Sequence, residues 1–402
     1  MRRILAVVAV PSQEHEPMNK MNAETPRFGE MQKAKCLFSF LSLLLGVSAF
    51  ASAIPPEPKF RAQTIDDKIQ IGYGIAAADV DGDGKVDILL ADKKQFAWYR
   101  NPTWEKFIIA ENLTKRDNVC FAAQDIDGDG KCELAVGADW DPNDREHSGA
   151  VFYMIPPKDR TQKWDAVSLP AEPTVHRMRW IKLDEGGWGL VVAPLYGRGK
   201  EGTAGSRVLL YHKPDNVRGE WKTELLDDSM HATHNFDVLD TGLFVAGREG
   251  VKVIGRQQGE NEKIEIRKEM LKGVRGAGEV RGFLSVVATI EPMHGNMLAL
   301  YLGDELKRQV LTERMSEGHA LAWGGLLSHD TIIVAGWRGN GGGVIGFTPD
   351  EQHNWRETVI DDKGMACEDL KLVDLDGDGK LDIIASGRAT HNVKIYWNQT
   401  GQ

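Results

Sequence analysis

The sequence predicts an all-β protein made of seven similar four-stranded units, closed by a strand near the N-terminus. Three observations lead to this fold class. One acidic loop occurs three times, the chain divides into seven units of about fifty residues from about residue 71 onward, and a segment before the first unit matches the closing strand of a later one. Period-two alternation of apolar and polar residues predicts the strands of each unit, because each strand has one buried face.

The three acidic loops share one spacing, with carboxylates at positions one, three, five and nine and a lysine backbone carbonyl at position seven. Oxygen ligands spaced in this way are those that Ca²⁺ prefers, and the glycine after the third carboxylate permits the sharp turn. Four carboxylates so close together would repel one another without a divalent ion; a solvated acidic turn is the alternative. The predicted ligands are Asp79, Asp81, Asp83, Lys85, Asp87, Asp125, Asp127, Asp129, Lys131, Glu133, Asp374, Asp376, Asp378, Lys380 and Asp382.

Each loop lies between two strands, the first rich in small residues and the second apolar, as in Ile75–Ala78 and Ile88–Ala91. This arrangement resembles FG-GAP or VCBS-type repeats, the calcium-loop blades also seen in integrin α subunits. The resemblance implies a seven-bladed β-propeller, in which four-stranded blades surround a central channel. The expected blades are residues 71–113, 118–170, 174–227, 231–269, 272–313, 317–361 and 365–399.

The last unit lacks a closing strand, because the chain ends soon after Trp397. The segment Phe60–Asp67 matches Trp355–Asp362, which closes the sixth unit. We therefore expect residues 60–67 to supply the outer strand of blade 7 and to protect edges that would otherwise be open.

The N-terminal part of the chain has the features of a leader. Residues 1–30 are polar and aperiodic apart from a short apolar run, and we interpret them as an over-extended start, with Met31 as the biological one. Residues 31–53 contain a basic stretch, an apolar run too short to span a bilayer and a small-residue cleavage site, which predicts a secretory signal peptide. Residues 54–402 form the predicted propeller, exported to the periplasm or outside the cell, with no membrane span after cleavage.

Composition excludes some classes of function. The formal charge is −10, and neither a basic patch nor a recognition helix is present, so nucleic acid is not an expected partner. Three cysteines follow the predicted leader, Cys120, Cys132 and Cys367; an odd number in a large domain argues against a disulfide framework.

Polar side chains are expected to surround the mouth of the channel opposite the calcium loops. His234, His319 and Glu368 lie at equivalent positions of their innermost strands, and His176 has the same parity, so the four are expected to point alike. At the ends of second strands are Tyr196, Arg198, Arg248, Glu291, His294, Trp337, Arg338, Arg388 and His391, with Lys93, Lys94 and Asp139 at the equivalent ends of blades 1 and 2. The structural alternative is that such arginines link neighbouring blades by salt bridges. His231, His329 and His353 are expected to be structural.

Several short stretches carry a more specific resemblance. Val175–Trp180, Ala288–Asn296, Gly318–Trp323 and Gly387–Trp397 are similar to the propeller of aldos-2-ulose dehydratase and its bacterial relatives. The resemblance implies removal of water from a keto-sugar such as 1,5-anhydro-fructose. The fungal enzyme also carries cupin-like modules for a later isomerisation, and the printed sequence has none, so only the first step is carried over, as an analogy.

The predicted chemistry is proton abstraction beside a carbonyl followed by loss of a β-hydroxyl. His176, His234, Glu291, His294 and His319 are the candidate catalytic residues, and Tyr196, Arg198, Arg248, Trp337, Arg338, Glu368, Arg388 and His391 are the candidates for substrate binding. A second divalent metal on the histidines is a further possibility. Two alternatives remain open: a non-catalytic propeller that binds glycans or a protein partner, and a periplasmic metal-assisted polysaccharide lyase or hydrolase.

Overall fold

The structure, a computed structural model, describes residues 56–401 except 184–185, 201–202, 241, 259–263, 284, 328–330, 351 and 353, and describes residues 256–258 and 264–267 by backbone alone. The predicted leader, His329 and His353 lie outside the described residues. Within these ranges the chain forms 28 strands and no helix. None of the described residues therefore belongs to a helix of the length and apolar character needed to cross a membrane.

The strands form seven four-stranded antiparallel sheets, each a blade. The first strand, β1 (Phe60–Asp66), belongs to the last blade. Blade 1 contains β2 (Gly74–Ala78), β3 (Asp87–Ala91), β4 (Gln95–Arg100) and β5 (Glu105–Glu111). Blade 2 contains β6 (Cys120–Gln124), β7 (Glu133–Ala138), β8 (Ala150–Ile155) and β9 (Asp165–Ser168). Blade 3 contains β10 (Val175–Lys182), β11 (Trp188–Pro194), β12 (Val208–His212) and β13 (Lys222–Asp227).

The remaining blades repeat this order. Blade 4 contains β14 (Thr233–Leu239), β15 (Gly242–Gly247), β16 (Gly250–Gln258) and β17 (Ile264–Met270). Blade 5 contains β18 (Glu279–Phe283), β19 (Val286–Glu291), β20 (Met297–Leu302) and β21 (Lys307–Thr312). Blade 6 contains β22 (Gly318–Gly325), β23 (Thr331–Trp337), β24 (Gly343–Pro349) and β25 (Trp355–Asp362). Blade 7 contains β26 (Cys367–Val373), β27 (Asp382–Gly387) and β28 (Asn392–Asn398), followed in space by β1.

The predicted closure is confirmed. Strand β1 pairs antiparallel with β28, with Phe60 opposite Asn398 and Thr64 opposite Lys394. The carboxylate of Asp66 then accepts hydrogen bonds from Tyr99 Oη (2.7 Å) and Lys106 Nζ (2.9 Å) of blade 1. Asp361, which matches Asp66 in the aligned segments, is bound in the same way by Tyr396 and Lys394 of blade 7. The N-terminal strand thus occupies the position in blade 7 that β25 occupies in blade 6.

The core lies between the blades. The described residues contain seven apolar clusters, and each combines side chains from two neighbouring blades. The cluster between blades 7 and 1 includes Ile384, Ile395, Ile88 and Leu90, all fully buried. Burying an aliphatic side chain contributes about 1.5–3 kcal/mol, so the ring is stabilised at every blade interface, including the closing one.

Four of the innermost strands carry an irregularity at their second residue. The pairing register of β10, β14, β22 and β26 with the next strand shifts across one position, occupied by His176, His234, His319 and Glu368 respectively. The innermost strands of blades 1, 2 and 5 pair without a shift. A bulge turns the extra side chain away from its normal direction, and bulges of this kind are common beside functional sites.

Candidate metal centre and channel rim

The three acidic loops connect the first and second strands of blades 1, 2 and 7. In each loop, one carboxylate oxygen from each of positions one, three and nine lies within 4.8 Å of the other two. These residues are Asp79, Asp81 and Asp87 in blade 1; Asp125, Asp127 and Glu133 in blade 2; and Asp374, Asp376 and Asp382 in blade 7. The turn depends on glycine, since Gly82 and Gly84 have φ angles of 81° and 82° and donate their amides to the carboxylate of Asp79.

The carboxylate at position five does not join these groups. Asp83 accepts from the backbone amide of Lys85 at 2.9 Å, and Asp378 pairs with Lys380 Nζ at 2.8 Å. The ninth residue is buried in all three loops, and burial raises the pKa of Asp87 and of Glu133 to about 7 and that of Asp382 to about 6, although backbone amides partly offset the effect. A buried carboxylate of this kind favours a nearby cation.

Three histidines from blades 4, 5 and 6 converge at the opposite end of the channel. His234 Nε2 lies 3.2 Å from His319 Nε2 and 2.8 Å from His294 Nε2. His234 and His319 are bulge residues of their innermost strands, whereas His294 lies in the turn after β19 with a φ of 56°. A left-handed conformation is strained for a residue with a side chain, and such strain is concentrated at functional sites.

The other ring nitrogens orient two of these imidazoles. His234 Nδ1 is 2.8 Å from the carbonyl oxygen of Gly278, and His319 Nδ1 is 2.7 Å from that of Glu368. Since a carbonyl oxygen only accepts, both Nδ1 atoms carry the proton and donate. When both rings are neutral, their Nε2 lone pairs face each other at 3.2 Å, an arrangement that fits a shared cation, and backbone carbonyls orient metal-ligating histidines in the same way.

Two of the three histidines, His319 and His294, are held in the neutral form. Burial lowers the pKa of His319 well below its ordinary value, and Arg338 and the neighbouring rings lower it further. Burial and His234 lower the pKa of His294 to about 2. Neutral imidazole is the form that binds a divalent transition metal, so the donor set present here fits such an ion.

His176 lies beside this group. Its ring centroid is 4.8 Å from that of His234, and its other side stacks on Trp140 at 5.1 Å. Its Nε2 is buried and has no hydrogen-bond partner among the described residues, while Nδ1 is 3.4 Å from Arg177 Nη1. Burial, followed by Arg177, lowers the pKa of His176 well below its ordinary value, so the ring is neutral at physiological pH.

The rim beside the histidines is formed by two arginines that share one carboxylate. Glu368 accepts from Arg338 Nη1 at 2.8 Å and from Arg388 Nη1 at 3.1 Å, and Arg338 also binds Glu317 at 3.0 Å. Arg338 belongs to the end of blade 6 and Glu368 to blade 7. This ion-pair network therefore also links two blades, as the structural alternative anticipated.

The other predicted rim residues lie outside this ion-pair network. Tyr196 is covered by the guanidinium of Arg145 at 4.1 Å, and Arg198 pairs with Glu172 at 3.3 Å. Arg248 lies 3.9 Å from Glu249. Trp337 is buried between blades 5 and 6, so close to Gly343 that a Cβ there would lie 2.2 Å from its ring.

The remaining candidates contact the backbone or charged side chains that were not predicted as part of the rim. His391 Nδ1 is 2.9 Å from the carbonyl oxygen of Gln70, and Asp139 pairs with Arg116 at 3.4 Å. Lys94 donates to the carbonyl oxygen of Lys115 and pairs with Asp117, and the backbone carbonyl of neighbouring Lys93 accepts from the amide of Asn118. His231 is 3.2 Å from Glu249, a surface pair consistent with the structural role expected for it.

Glu291 is turned toward its own blade. Its carboxylate accepts from Thr289 Oγ1 and Tyr301 Oη, each at 2.7 Å, and from Arg308 Nη2 at 2.8 Å. No contact joins this carboxylate to the four histidines among the described residues. Glu291 anchors the base of the turn that carries His294.

Sequence reasoning missed two aromatic residues of the site. Trp140 stacks on His176, and Tyr73 lies under the guanidinium of Arg388 at 5.5 Å while its hydroxyl donates to Asp117 at 3.1 Å. Burial raises the pKa of Tyr73, so its hydroxyl stays protonated at physiological pH. Trp140 directly follows Asp139, a predicted rim position, and this adjacency is the sequence feature that could have identified it.

Comparisons with known proteins support the fold and leave the chemistry open. Residues 79–136 match a family model described as FG-GAP-like repeat. No curated protein matches the chain. The solved structures that are similar include a BBS1N–ARL6DN complex soaked with lead (13% identity, 87% of this chain and 98% of the other, TM-score 0.52) and one soaked with mercury (14%, 85% and 97%, 0.56). A chain of the Mitotic Checkpoint Complex is also similar (12%, 90% and 99%, TM-score 0.56). At these identities the likeness concerns the fold alone: the chain is a seven-bladed β-propeller with an FG-GAP-like repeat.

Proposed function

We propose that this propeller is a metal-dependent carbon–oxygen lyase that removes water from a keto-sugar of the aldos-2-ulose or anhydro-fructose type. The observation that carries the proposal is the convergence of the Nε2 atoms of His234, His294 and His319. Stability does not require imidazoles from three blades to meet. The similarity of short stretches to aldos-2-ulose dehydratase supports the choice of substrate class.

The three histidines would hold a divalent metal. When bound, such an ion supplies a Lewis acid that polarises a carbonyl oxygen. Gly278 and Glu368 orient two of the rings through their backbone carbonyls, which keeps each Nε2 lone pair directed at the centre. His294 is the least buried of the three.

His176 is assigned the proton transfer. In the tautomer that carries its proton on Nδ1, for which Arg177 must give up its 3.4 Å contact with that atom, Nε2 of the neutral ring can take the proton from the carbon beside the carbonyl. The electrons of the broken carbon–hydrogen bond form the new double bond as the β-hydroxyl leaves. His176 then gives the proton to the departing hydroxide, which becomes water. Arg338 and Arg388 lower the pKa of His294 electrostatically, so their charge reaches the site and can stabilise negative charge that develops on the carbonyl oxygen.

The test combines metal analysis with a spectroscopic assay. Elimination creates a conjugated carbonyl that absorbs in the ultraviolet, so anhydro-fructose and 3-keto-glycosides can be screened directly. We expect His234→Ala and His319→Ala to lose both bound metal and turnover, and His176→Ala to keep the metal while losing turnover at least a hundredfold. His231→Ala, a change of a partly exposed histidine that pairs with Glu249, is the control.

Other outcomes distinguish the alternatives. Saturable glycan binding without transformation would favour a non-catalytic propeller. Cleavage of a polysaccharide with or without an unsaturated product would favour a lyase or a hydrolase. Absence of stoichiometric metal from the wild-type protein would contradict the proposal.

We also propose that the three acidic loops bind calcium as a structural ion. Proximity of the carboxylates at positions one, three and nine supports this, as does burial of the ninth residue. Binding to the folded state alone stabilises it, so a chelator should lower the melting temperature and calcium should restore it. Asp81→Asn should reduce the effect and Asp215→Asn, on an exposed loop, should not. An unchanged melting temperature with chelator would contradict calcium binding.

Export is likewise proposed, from the sequence pattern of residues 31–53. Expression of the full chain in a bacterial host should yield a mature protein in the periplasm or the medium whose N-terminus lies near Ile54. N-terminal sequencing checks this, and an uncleaved product in the cytoplasm would contradict it.

A further inference from the structure

The channel on the calcium-loop side of the histidines contains a cavity of about 330 Å³. Innermost strands of blades 1, 2, 3 and 7 line it, with Asn235 from blade 4. Blades 1 and 2 contribute small side chains there, among them Ala76, Ala77, Ala122 and Ala123, which explains why the cavity is open on this side. A space of this volume accommodates a small organic molecule.

The guanidinium of Arg179 lines this cavity with part of its hydrogen-bonding capacity unused. Nη2 donates to Asn235 Oδ1 at 3.0 Å, and the group lies over the ring of Phe236 at 4.5 Å. Nη1 is buried and has no partner among the described residues. Burial, together with nearby Arg281, lowers the pKa of Arg179 to about 10, although the carboxylates of Asp237, Glu279 and Asp369 partly offset the effect.

Arg177 lies deeper in the same channel. Its side chain is buried, and Nη1 donates to the backbone carbonyl of His176 at 2.9 Å. Within the described ranges, no carboxylate oxygen lies within 4.0 Å of Arg177 or of Arg179. Arg177 lowers the pKa of His176, so its charge acts on the centre above.

Cations outnumber carboxylates among the residues that line the cavity, and behind them Glu279 is bound by Asn235 and Arg281. The charged lining residues are Arg177, Arg179, Lys371 and Asp369, three cations and one carboxylate, which leaves a formal charge of +2 in a protein of formal charge −10. The carboxylate is already bound by Lys371 Nζ at 2.8 Å. Removing a guanidinium from water is costly unless an anion compensates it.

We infer that this channel cavity is a binding site for a small oxyanion, either a carboxylate or a phosphate group, held by Arg177 and Arg179. Guanidinium groups match the planar, paired oxygens of such ligands and form their strongest hydrogen bonds with them. The free Nη1 of Arg179 provides a donor that nothing in the described protein uses. The site is separate from the three-histidine centre and does not depend on the lyase proposal.

Calorimetric titration of the full, folded protein tests the inference. The probes are inorganic phosphate, D-glucuronate and, as the uncharged partner of the latter, D-glucose, in a low-chloride buffer. We expect saturable binding of phosphate or glucuronate, no binding of glucose at this site, and at least tenfold weaker binding in Arg179→Met. Arg218→Met, which removes an exposed arginine paired with Asp165, should change the affinity less than threefold.

Two further variants keep the result interpretable. Arg179→Lys retains the charge but loses the paired donors, so it should weaken binding several-fold even if Arg179→Met fails to fold. His319→Ala should leave the affinity within threefold, because the anion is not held by the histidines. Equal affinity in the wild type and Arg179→Lys, absence of any saturable anion binding, or loss of binding in His319→Ala would each overturn the inference. Binding of phosphate alone would identify an inorganic anion site, whereas preference for glucuronate would identify a sugar acid.

Discussion

The side chains that meet at the histidine centre do so because of single-residue irregularities. A strand alternates its side chains between two faces, so one inserted residue changes the direction of the side chain it carries. His234 and His319 are such insertions, and His294 is held in a left-handed conformation in its turn. Each departure from regular geometry brings one Nε2 toward the same point.

Glu291 does not join the histidine centre, because its carboxylate binds Arg308 and Tyr301 rather than a histidine. We expect Glu291→Gln to lower the free energy of unfolding by about 1–3 kcal/mol, because hydrogen bonds between charged groups are lost and Arg308 loses its partner. Urea denaturation measures this change. Metal content should stay close to that of the wild type.

A matched variant separates anchoring from chemistry. Arg308→Met removes the partner without touching Glu291, and it should destabilise the protein by a comparable amount. Loss of turnover in Glu291→Gln without any change in stability would show that the carboxylate acts in the reaction and would contradict an anchoring role.

At the scale of the element, blades are linked by an aspartate at the end of an outer strand. Asp66 and Asp361 each accept a hydrogen bond from a tyrosine and one from a lysine of the next blade. The repeated contact explains why Phe60–Asp67 resembles Trp355–Asp362: both segments make the same connection between blades.

Asp66→Asn tests this link through its pH dependence. Burial alone would raise the pKa of Asp66, but hydrogen bonds from Tyr99 and Lys106 lower it below the ordinary 3.8 overall. A lowered pKa means that the ionised form stabilises the fold above about pH 4 and that this contribution is lost as the pH falls through the folded-state value. We expect Asp66→Asn to be about 1–2 kcal/mol less stable than the wild type at pH 7.

The difference in free energy of unfolding between the wild type and Asp66→Asn should shrink toward pH 3, where the wild-type carboxyl gains a proton. Thermal or urea unfolding at both pH values measures it. Asp67→Asn, the exposed neighbour, is the control. A difference that does not vary with pH would contradict the assignment to the ionised carboxylate.

For the whole molecule, the closing strand decides whether seven blades form one cooperative ring. A chain that begins at Lys68 lacks β1, exposes the edge of β28 and loses the Asp66 link to blade 1. We expect it to melt at least 10 °C below the full chain or to aggregate. A chain that begins at Ile54 should melt within 2 °C of the full chain, and calorimetry compares the three. Equal melting of the Lys68 chain would show that closure contributes little.

Much of this architecture follows from local sequence. Alternation predicts the strands, the Asp-x-Asp-Gly-Asp-Gly spacing predicts the turns between first and second strands, and the match between residues 60–67 and 355–362 predicts closure. These features are local or repeated, so each leaves a pattern that can be read along the chain. Counting residues back from each loop places His234, His319 and Glu368 at equivalent positions of their innermost strands, and the structure confirms that equivalence.

The contacts among those residues were decided only by the tertiary structure. Glu291 and His294 are three residues apart in one turn, yet only His294 reaches the other rings, because the carboxylate of Glu291 finds partners within its own blade. Arg177 and Arg179 give no signal in the sequence, since a buried cation without a partner is recognised only when the surrounding blades are in place. Distances between blades depend on how seven sheets pack in a ring, and no local pattern records them.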